Sequence, residues 1–369
     1  MPSEYDRLID SLFKKAEENG VPLSGTFELT SRCSLDCKMC YIHRKDNDRE
    51  AMRCEKPTEW WLDLARTAKD AGMLLLLLTG GEPLVRRDFE EIYLACRSMG
   101  LLVSVNTNAT LIDEKKVRFF KENPPQRLNI TLYGASAETY EALCGDGEAY
   151  GRVIKAIRAL KAAGVKVKLN YTLTPYNAQD KEKIFEFAKE EGLELQAVSY
   201  MYPPVRADGA PDIERMSARD AATAQFNWQR DRLGDDKFRK LIEFNLKYSQ
   251  VAAAKEGYGE RISCRAGSTV FWVTWNGTMT PCGMMNEPKE TIEKTEDFNA
   301  AWRAIRAKRE NIYLPSECAR CEWRRICDLC AAVSYAETGR FDGKPEYACK
   351  KAHEYGKLCK QFLTPCEQT

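Results

Sequence analysis

Short apolar runs alternate with amphipathic segments through the N-terminal half of the chain. The run MLLLLLTG (73–80) is continuously apolar, which is typical of a strand covered on both faces of a parallel sheet. Residues 57–72 space their apolar side chains as a helix does, between an initial proline and a final glycine. Six strand–helix units of this kind are predicted, with strands at residues 25–30, 73–80, 101–107, 127–133, 165–173 and 193–202. The alternation predicts an α/β fold with a parallel sheet, arranged as a partial (β/α)6 TIM barrel.

The strand–helix alternation covers residues 25–205 and divides the chain into four predicted parts. Residues 1–24 precede it and have the apolar spacing of an amphipathic helix. Residues 206–263 begin with a Pro-rich connection and continue as a polar, helical linker. Residues 264–369 are dense in cysteine, with short predicted strands and many loops. This change of character predicts a small second domain after the barrel.

Opposite charges are balanced in this chain of 369 residues, which has 56 lysines and arginines, 55 aspartates and glutamates, and a net charge of +1. That balance gives no electrostatic reason to expect nucleic acid or a membrane as partner. The most apolar run, Met73 to Leu78, is too short to cross a bilayer. The N-terminus mixes charged and apolar residues, unlike a signal peptide. We therefore expect a cytoplasmic protein.

Fifteen cysteines and only two histidines limit the chemistry that a metal site in this chain can use. A reducing compartment disfavours disulfides, so metal binding accounts better for so many thiols. Because His43 and His353 are the only imidazoles, such a site has to be rich in thiolate. Thiolate-rich sites favour iron–sulfur clusters or zinc.

Three of the cysteines, Cys33, Cys37 and Cys40, lie close together directly after the first predicted strand. In a barrel the loops after the strands carry the chemistry, so these thiols stand where a site is expected. Four thiolates would saturate a cubane iron–sulfur cluster, whereas three leave one iron open. An open metal position is the mark of a catalytic site. Here it can chelate a small molecule that carries an amine and a carboxylate.

The segment TGGEPL (79–84), at the end of the second predicted strand, is suited to bind such a molecule. Gly80 and Gly81 allow the backbone to approach a ligand closely. The Glu82 carboxylate is expected to help hold an ammonium group, and backbone carbonyls there can accept hydrogen bonds from it. The second strand end therefore complements the open iron predicted at the first.

The spacing Cys33-x3-Cys37-x2-Cys40, followed by GGE one strand later, resembles the radical S-adenosylmethionine (radical SAM) superfamily. Met39 occupies a position that this family usually fills with an aromatic residue. The resemblance implies S-adenosylmethionine and a [4Fe–4S] cluster as cofactors, and a reducing partner such as flavodoxin or ferredoxin. In that family an electron enters the sulfonium, and the resulting 5′-deoxyadenosyl radical abstracts a hydrogen from the substrate. The resemblance also suggests cofactor contacts at the ends of later strands, at Asn106, Asn108, Thr131 and Asn170.

The cysteines after residue 263 resemble the SPASM domain, a C-terminal extension that holds auxiliary iron–sulfur clusters in many radical SAM enzymes. The resemblance implies two auxiliary [4Fe–4S] clusters. One would use Cys318, Cys321, Cys327 and Cys349, and an inner one would use Cys264, Cys282 and Cys330. With three thiolates, the inner cluster either has an open iron site for substrate or takes an outside ligand. Only Asp328 and Leu329 separate Cys327 from Cys330, whereas the family usually has three residues at this point.

Two other interpretations of the cysteines stay open. Cys-x2-Cys pairs are also the usual spacing of zinc ligands, so the C-terminal thiols could form a pair of structural zinc sites. The whole chain could then be a zinc or iron–sulfur binding module without catalysis. The remaining cysteines are predicted to be core or incidental thiols, namely Cys54, Cys96, Cys144, Cys359 and Cys366.

For the substrate, the resemblance implies a peptide, since many SPASM enzymes modify peptides through thioether or carbon–carbon crosslinks or by oxidation. Protein oxidation of the sulfatase-maturing type is less favoured, because Gly283 stands where that group has an aspartate. A small-molecule dehydrogenase or epimerase is the alternative. Tyr200, Tyr202 and Arg206, past the sixth strand, either contact the substrate or serve in packing. A ribosomally made peptide is the favoured substrate.

Overall fold

The computed structural model describes residues 4–42, 44–205, 214–247 and 259–364. Its strands are, in chain order, β1 (Ser24–Glu28), β2 (Arg32–Cys33), β3 (Arg44–Lys45), β4 (Leu75–Thr79), β5 (Leu102–Thr107), β6 (Arg127–Thr131), β7 (Val167–Thr172), β8 (Glu194–Val198), β9 (Val270–Val273), β10 (Thr278–Thr280) and β11 (Glu290–Thr291). Its α-helices are α1 (Glu4–Asn19), α2 (Arg49–Cys54), α3 (Thr58–Asp70), α4 (Phe89–Ser98), α5 (Glu114–Glu122), α6 (Ala137–Cys144), α7 (Ala149–Ala162), α8 (Lys181–Glu190), α9 (Ala218–Leu233), α10 (Asp235–Lys247), α11 (Phe298–Arg309), α12 (Ala331–Thr338) and α13 (Glu346–Leu363).

Six parallel strands in the order β1-β4-β5-β6-β7-β8 form the barrel part of a nine-stranded sheet. They lie where the six strands were predicted, and the partial barrel is confirmed. Helices between them each bury one apolar face against the sheet, as their spacing requires. In α3, for example, Trp61 and Leu64 are fully buried. The carboxyl ends of all six strands meet at one end of this sheet.

The sheet continues past β1 into the cysteine-rich region. β9 pairs parallel with β1, from Ser24 opposite Val270 to Phe27 opposite Val273. β10 and β11 add two antiparallel strands beyond it. The fully buried ring of Phe271 lies 6.5 Å from that of Phe27. The domain boundary predicted at residue 264 therefore does not interrupt the sheet, and the division into domains stays a prediction.

Helices are more prominent in the cysteine-rich region than the sequence pattern predicts. α11, α12 and α13 lie there, and α13 alone has 18 residues. The buried positions of α13 have helical spacing but are largely small, polar or thiol-bearing residues, among them Ala348, Lys351, Ala352 and Cys359. Predictions for this region followed its cysteine spacing, and the helix was not predicted.

The predicted linker is helical where the structure describes it. α9 and α10 lie between residues 214 and 247, and α9 packs against α13 around Phe226, Phe238 and Tyr355. The other linker residues, 206–213 and 248–258, lie outside the described residues. Among the helices in the described part of the chain, none is long and apolar enough to cross a bilayer.

Candidate functional site

The loop that carries Cys33, Cys37 and Cys40 is tied to the C-terminal end of α6. The N–H groups of Asp36 and Lys38 donate to the last two carbonyls of that helix, over 3.0 and 2.9 Å. Carbonyls at a helix C-terminus have no partner within the helix, so they are ready acceptors for a passing loop. These bonds use backbone groups alone, so they guide the loop independently of the cysteine side chains.

Backbone donors point at two of the three thiols. The Leu35 N–H lies 3.5 Å from Sγ of Cys33, and the Ile42 N–H lies 3.4 Å from Sγ of Cys40. Hydrogen bonds of this kind favour the thiolate over the thiol. They are also the contacts that tune the sulfurs of iron–sulfur clusters. The loop is therefore built to stabilise negative sulfur at these two positions.

Burial works in the opposite direction on the same loop. It raises the pKa of the Cys33 thiol well above its usual value, and the nearby Glu82 carboxylate adds to the effect. A hydrogen bond with the Cys144 thiol, together with burial, raises the pKa of Cys37. Buried thiols like these stay protonated unless a cation compensates their charge. A metal at this loop would supply that compensation.

A buried ion-pair network holds the start of the loop. Arg32 donates from Nε and Nη2 to the Glu55 carboxylate, over 2.7 and 3.1 Å, and the Thr30 hydroxyl donates to it as well. Arg86 approaches Glu55 to 3.6 Å and pairs with Asp88 at 2.5 Å. Paired, bidentate contacts of this kind are what make buried charges tolerable. Sequence reasoning missed the network because Glu55 follows α2, a helix that the pattern did not predict.

Gly80 and Gly81 let the second strand end pack against the backbone that follows β1. A Cβ at Gly80 would lie 2.5 Å from the Thr30 carbonyl oxygen, and one at Gly81 would lie 2.4 Å from that of Arg32. The Gly81 N–H donates to the Thr30 carbonyl over 2.8 Å. The sequence predicts a close approach to a ligand here. In the structure, these glycines come close to the backbone of Thr30 and Arg32.

Glu82 is fully buried and joins the ends of β4 and β5. Its carboxylate accepts from the N–H groups of Leu84 (3.0 Å) and Asn108 (2.7 Å) and from the Thr107 hydroxyl (2.8 and 3.0 Å). Burial raises the pKa of Glu82 to about 7, and these hydrogen bonds offset part of that rise. The sequence predicts that Glu82 holds a ligand's ammonium group, whereas the structure gives its carboxylate partners from the chain.

A cavity of about 360 Å³ above the strand ends brings most of the predicted cofactor-site residues together. Those in its wall are Cys33, Cys37, Cys40, Gly80, Gly81, Asn106, Asn108 and Thr131. Glu82 and Asn170 are not part of the wall. On β7 the cavity is lined instead by Thr172, which lies two residues past Asn170 on the same face of the strand. We call this space the thiol cavity.

Several other residues of the thiol cavity escaped sequence reasoning. Thr107 and Tyr133 lie at or just past strand ends, where the rule that found Asn106 applies equally to them. Met284 comes from the cysteine-rich region, and no local signal points to it. Tyr200 and Tyr202, predicted as substrate contacts or packing residues, also line the cavity. Arg206 and His43 lie outside the described residues.

The two predicted asparagines that line the thiol cavity, Asn106 and Asn108, have partners within the chain. Nδ2 of Asn108 lies 3.5 Å from Sγ of Cys33 and 3.1 Å from the Ser34 hydroxyl. The Asn106 side-chain oxygen accepts from Nδ2 of Asn129 over 2.8 Å. Asn108 therefore adds a side-chain donor to the backbone donor that already faces the Cys33 thiol.

The outer C-terminal set of thiols is brought together by the fold. Burial raises the pKa of Cys318 to about 11, with further contributions from the neighbouring thiols of Cys321 and Cys349. Burial also raises the pKa of Cys327 to about 12, and Cys318 contributes to that rise. Cys318 therefore lies within electrostatic range of the other three predicted ligands of the outer set.

Two thiols of the inner set, Cys282 and Cys330, lie near Tyr202, and Cys264 lies near Cys330. Burial raises the pKa of Cys264, and the Cys330 thiol adds to the rise. The Tyr202 hydroxyl is 3.7 Å from Sγ of Cys330. Burial raises the pKa of Tyr202 well above its usual value, and both Cys330 and Cys282 contribute. Because Tyr202 also lines the thiol cavity, it connects that cavity with the inner set.

Arg309, at the end of α11, holds the loop of Cys264. It is buried, and it donates to the carbonyls of Ala266 (2.8 Å), Ile262 (3.2 Å) and Cys264 (2.8 Å). Three carbonyls aimed at one guanidinium fix the path of the backbone through this segment. Sequence reasoning missed Arg309 because its partners are backbone atoms more than forty residues away.

The remaining described cysteines belong to neither C-terminal set. Cys96, Cys144 and Cys359 are buried, whereas Cys54 is exposed. Cys144 is the one that touches a predicted ligand, through the thiol contact with Cys37. Cys366 lies outside the described residues.

The contacts of the first set of thiols fit an iron–sulfur cluster. Among the side chains in the described part of the chain, no three from Cys, His, Asp and Glu converge on one metal-ion position. A structural zinc site gathers four donors around one ion. A four-iron cluster instead needs thiolates that are spread apart, because each binds a different iron. Backbone N–H donors point at two of the three sulfurs of the first set, as they do at the sulfurs of iron–sulfur clusters.

Comparisons with known proteins agree with this site. A family model described as the radical SAM superfamily matches residues 27–188. An AdoMet-dependent heme synthase of Methanosarcina barkeri is 27% identical over 333 residues, which cover 85% of this chain and 93% of that protein. A PqqA peptide cyclase of Granulibacter bethesdensis is 25% identical over 351 residues, which cover 90% and 88%.

A solved structure shares the fold over nearly the whole chain. Streptococcus suis SuiB, in its crystal structure bound to the precursor peptide SuiA, superposes with a TM-score of 0.64 at 20% identity. The superposition covers 95% of this chain and 82% of SuiB. The likeness therefore extends through the barrel and into the cysteine-rich region. Residues 27–188 match a radical SAM domain, and the chain is an enzyme.

Proposed function

We propose that this enzyme uses S-adenosylmethionine and a [4Fe–4S] cluster to remove a hydrogen atom from a peptide, as part of crosslink formation or a related oxidation. The radical SAM domain matched at residues 27–188 implies both cofactors. The observation that carries the proposal is the thiol cavity, which joins three thiols to Gly80, Gly81 and Asn108 at the carboxyl ends of parallel strands. That is where barrels place their chemistry.

The side chains of the thiol cavity would bind and orient the cofactors. Cys33, Cys37 and Cys40 would each ligate one iron and leave the fourth open to an amine and a carboxylate. Asn106 and Thr131 present polar groups from neighbouring strands in the wall of the same cavity. When bound, the cofactors supply the 5′-deoxyadenosyl radical that takes the hydrogen atom. The chain's part is to exclude water and to present one substrate carbon to that radical.

The overall reaction balances without a further oxidant. One S-adenosylmethionine and one electron yield methionine and, after hydrogen transfer, 5′-deoxyadenosine. The peptide gives up that hydrogen atom, then a proton and an electron, when its new bond forms. The electron returned equals the electron used, so a flavodoxin or ferredoxin serves as catalyst rather than as consumable reductant. The peptide product is lighter by two hydrogen atoms.

Two observations favour a peptide as substrate. One relative is named a PqqA peptide cyclase, and SuiB was solved bound to a precursor peptide. The inner set of Cys264, Cys282 and Cys330 offers three thiolates where a closed cluster needs four. An auxiliary iron left open there would suit a substrate thiolate during carbon–sulfur bond formation.

A small molecule is the second candidate. Three relatives that are 25–27% identical are named AdoMet-dependent heme synthase, so a tetrapyrrole is the small molecule to test first. Its reaction would use the same thiol cavity and the same first cluster. The two candidates therefore differ in substrate, not in the chemistry of the cofactors.

The test is an anaerobic assay with reconstituted, reduced enzyme. Synthetic peptides encoded by short reading frames beside the gene are incubated with S-adenosylmethionine, and products are measured by mass spectrometry. We expect 5′-deoxyadenosine together with a peptide that has lost two hydrogen atoms. S-adenosylmethionine cleavage that changes a porphyrin substrate but no peptide would overturn the peptide proposal. An absence of all cleavage by fully loaded enzyme would overturn the catalytic proposal itself.

A further inference from the structure

The outer edge of β8 is open in the described part of the chain. β8 is the last strand of the sheet, and no described strand pairs with its outer side. The Val198 carbonyl accepts from the Leu173 N–H over 2.8 Å, so Val198 directs its backbone groups towards β7. Backbone groups of alternate residues in a strand point to opposite sides. Those of Leu195 and Ala197 therefore point outward, away from the sheet.

A groove follows this edge, between β8 and α9. Its outer part is a cavity of about 860 Å³, and its inner part is a cavity of about 290 Å³. Phe185, Ala197 and Trp228 line both parts, so the two are continuous. Ala197 has a small side chain, which lets another backbone come close to the strand at this position.

The inner end of the groove reaches the thiol cavity. Val198, Tyr200 and Tyr202 line both the inner part of the groove and the thiol cavity. β8 has five residues, which corresponds to about 16 Å of extended chain. An extended ligand that follows β8 in its chain direction is thus led to the wall of the cavity that holds the three thiols.

Four basic and four acidic side chains line the two parts of the groove, so its formal charges balance. Lys168 lies 3.4 Å from the Glu194 carboxylate, and Lys181 lies 2.9 Å from that of Glu182. The ring faces of Phe185 and Trp228 add apolar surface between these pairs. The groove therefore suits a neutral ligand with an apolar or aromatic side chain, rather than a polyanion.

We infer that an extended, uncharged segment of the peptide substrate binds along the outer edge of β8 as an added strand. This inference rests on the proposed function. The outward backbone groups of Leu195 and Ala197 pair with the peptide backbone, and one side chain of the peptide enters the inner part of the groove. Strand addition is a general way for an open sheet edge to bind a peptide, with backbone bonds for affinity and pockets for selectivity. The residue to be modified then lies at the thiol cavity.

The experiment uses the iron-loaded protein and a library of random peptides of about twelve residues, long enough to follow β8 into the thiol cavity. One selected peptide is then titrated against wild type, Ala197→Pro and Ala197→Ser. Proline removes the outward N–H without touching the bonds to β7, and edge strands tolerate it. Serine keeps the N–H and serves as the matched control. We expect Ala197→Pro to bind the peptide about tenfold more weakly than Ala197→Ser.

A second measurement does not depend on the folding of a variant. The selected peptide is N-methylated one residue at a time, and each form is titrated against wild type. Strand addition predicts that affinity falls at every other position, because alternate N–H groups face β8. It also predicts slower hydrogen exchange at Leu195 and Ala197 when peptide is bound.

The two proposals fail in different ways. If the library yields no binding peptide, the proposed peptide substrate is wrong, and this inference falls with it. If a peptide binds with no period in the N-methyl series, or if Ala197→Pro binds as well as Ala197→Ser, the β8 inference is overturned and the peptide proposal stands.

Discussion

Single buried polar residues connect the parts of the thiol cavity. Glu82 bonds to residues at the ends of two neighbouring strands, and the Asn108 amide reaches from one of those ends to the Cys33 thiol. A buried group that loses such a partner costs about 1–3 kcal/mol, so each of these residues constrains its neighbours. At this scale the site is a set of mutual constraints among side chains far apart in sequence.

The Cys37→Ala variant tests directly whether Cys33, Cys37 and Cys40 hold the predicted first cluster. Replacing Cys37 with alanine removes one of three thiolates, so we expect Cys37→Ala to lose about four irons and all release of 5′-deoxyadenosine. Iron content and product are measured after anaerobic reconstitution. The exposed Cys54 on α2 gives the matched control, and Cys54→Ser should behave as wild type. Undiminished deoxyadenosine from Cys37→Ala would refute the assignment.

The raised pKa of Glu82 predicts that the free energy of unfolding depends on pH. Burial raises its pKa to about 7, from an ordinary value of 4.5. Between these two values the folded state keeps a proton that the unfolded chain has released, so the free energy of unfolding falls as pH rises. The difference between these two pKa values corresponds to a change of roughly 3 kcal/mol in the free energy of unfolding.

The Glu82→Gln variant isolates this contribution, because glutamine does not titrate. We expect the stability of wild type relative to Glu82→Gln to decrease by up to roughly 3 kcal/mol as pH rises from about 4 to about 8. Denaturant unfolding of the metal-free proteins across that range measures it. A stability difference that does not change with pH would show that Glu82 does not titrate in this range.

At the scale of elements, helix ends hold the cysteine loops in place. The C-terminal carbonyls of α6 anchor the first loop, and Arg309 at the end of α11 anchors the loop of Cys264. Neither loop has regular structure over its full length, so its geometry depends on these external contacts. Cluster binding is therefore expected to be sensitive to residues that never touch a metal.

Arg309→Met tests this dependence. Loss of the guanidinium leaves buried carbonyls unpaired, so we expect about 1–3 kcal/mol less stability. We also expect about eight irons in place of about twelve, because the inner set loses its geometry. Unfolding curves and iron analysis provide the two readouts. Arg303→Ala, on an exposed position of the same helix, should change neither of them. Full iron content in Arg309→Met would contradict the anchoring role.

At the scale of the whole molecule, one sheet links the barrel and the cysteine-rich region. β9 lies beside β1, and Phe271 packs with its ring 5.1 Å from that of Phe298 and 6.0 Å from that of Trp302. The Trp272 indole also donates to Glu28 on β1 over 2.6 Å. Contacts of this density predict that the two regions unfold together.

Phe271→Ala measures that linkage. The change opens a cavity in a closely packed core, so we expect a loss of about 3–5 kcal/mol in a single unfolding transition. Circular dichroism and tryptophan fluorescence should report the same midpoint. Phe244, which is 54% exposed on α10, supplies the control, and Phe244→Ala should cost far less. Two separate transitions, with only one of them shifted, would favour independent domains.

Much of the site was within reach of the sequence. The six parallel strands follow from local periodicity, and the first three thiols follow from their position after β1, because the carboxyl ends of parallel strands meet at one end of a barrel. Asn106, Asn108 and Thr131 came instead from the family resemblance, applied to the ends of later strands. These properties are local in sequence, so the amino-acid order alone determined them.

Only the tertiary structure decided how distant segments meet. Contacts between residues far apart in the chain decide four features of the site. They are the partners of Glu82, the anchoring by Arg309, the pairing of β9 with β1, and the presence of Thr172 rather than Asn170 in the cavity wall. Hydrophobic and polar patterns report which face of an element is buried, but not which atoms it is buried against. The open edge of β8 belongs to the same class, because an unpaired edge is a property of the sheet as a whole.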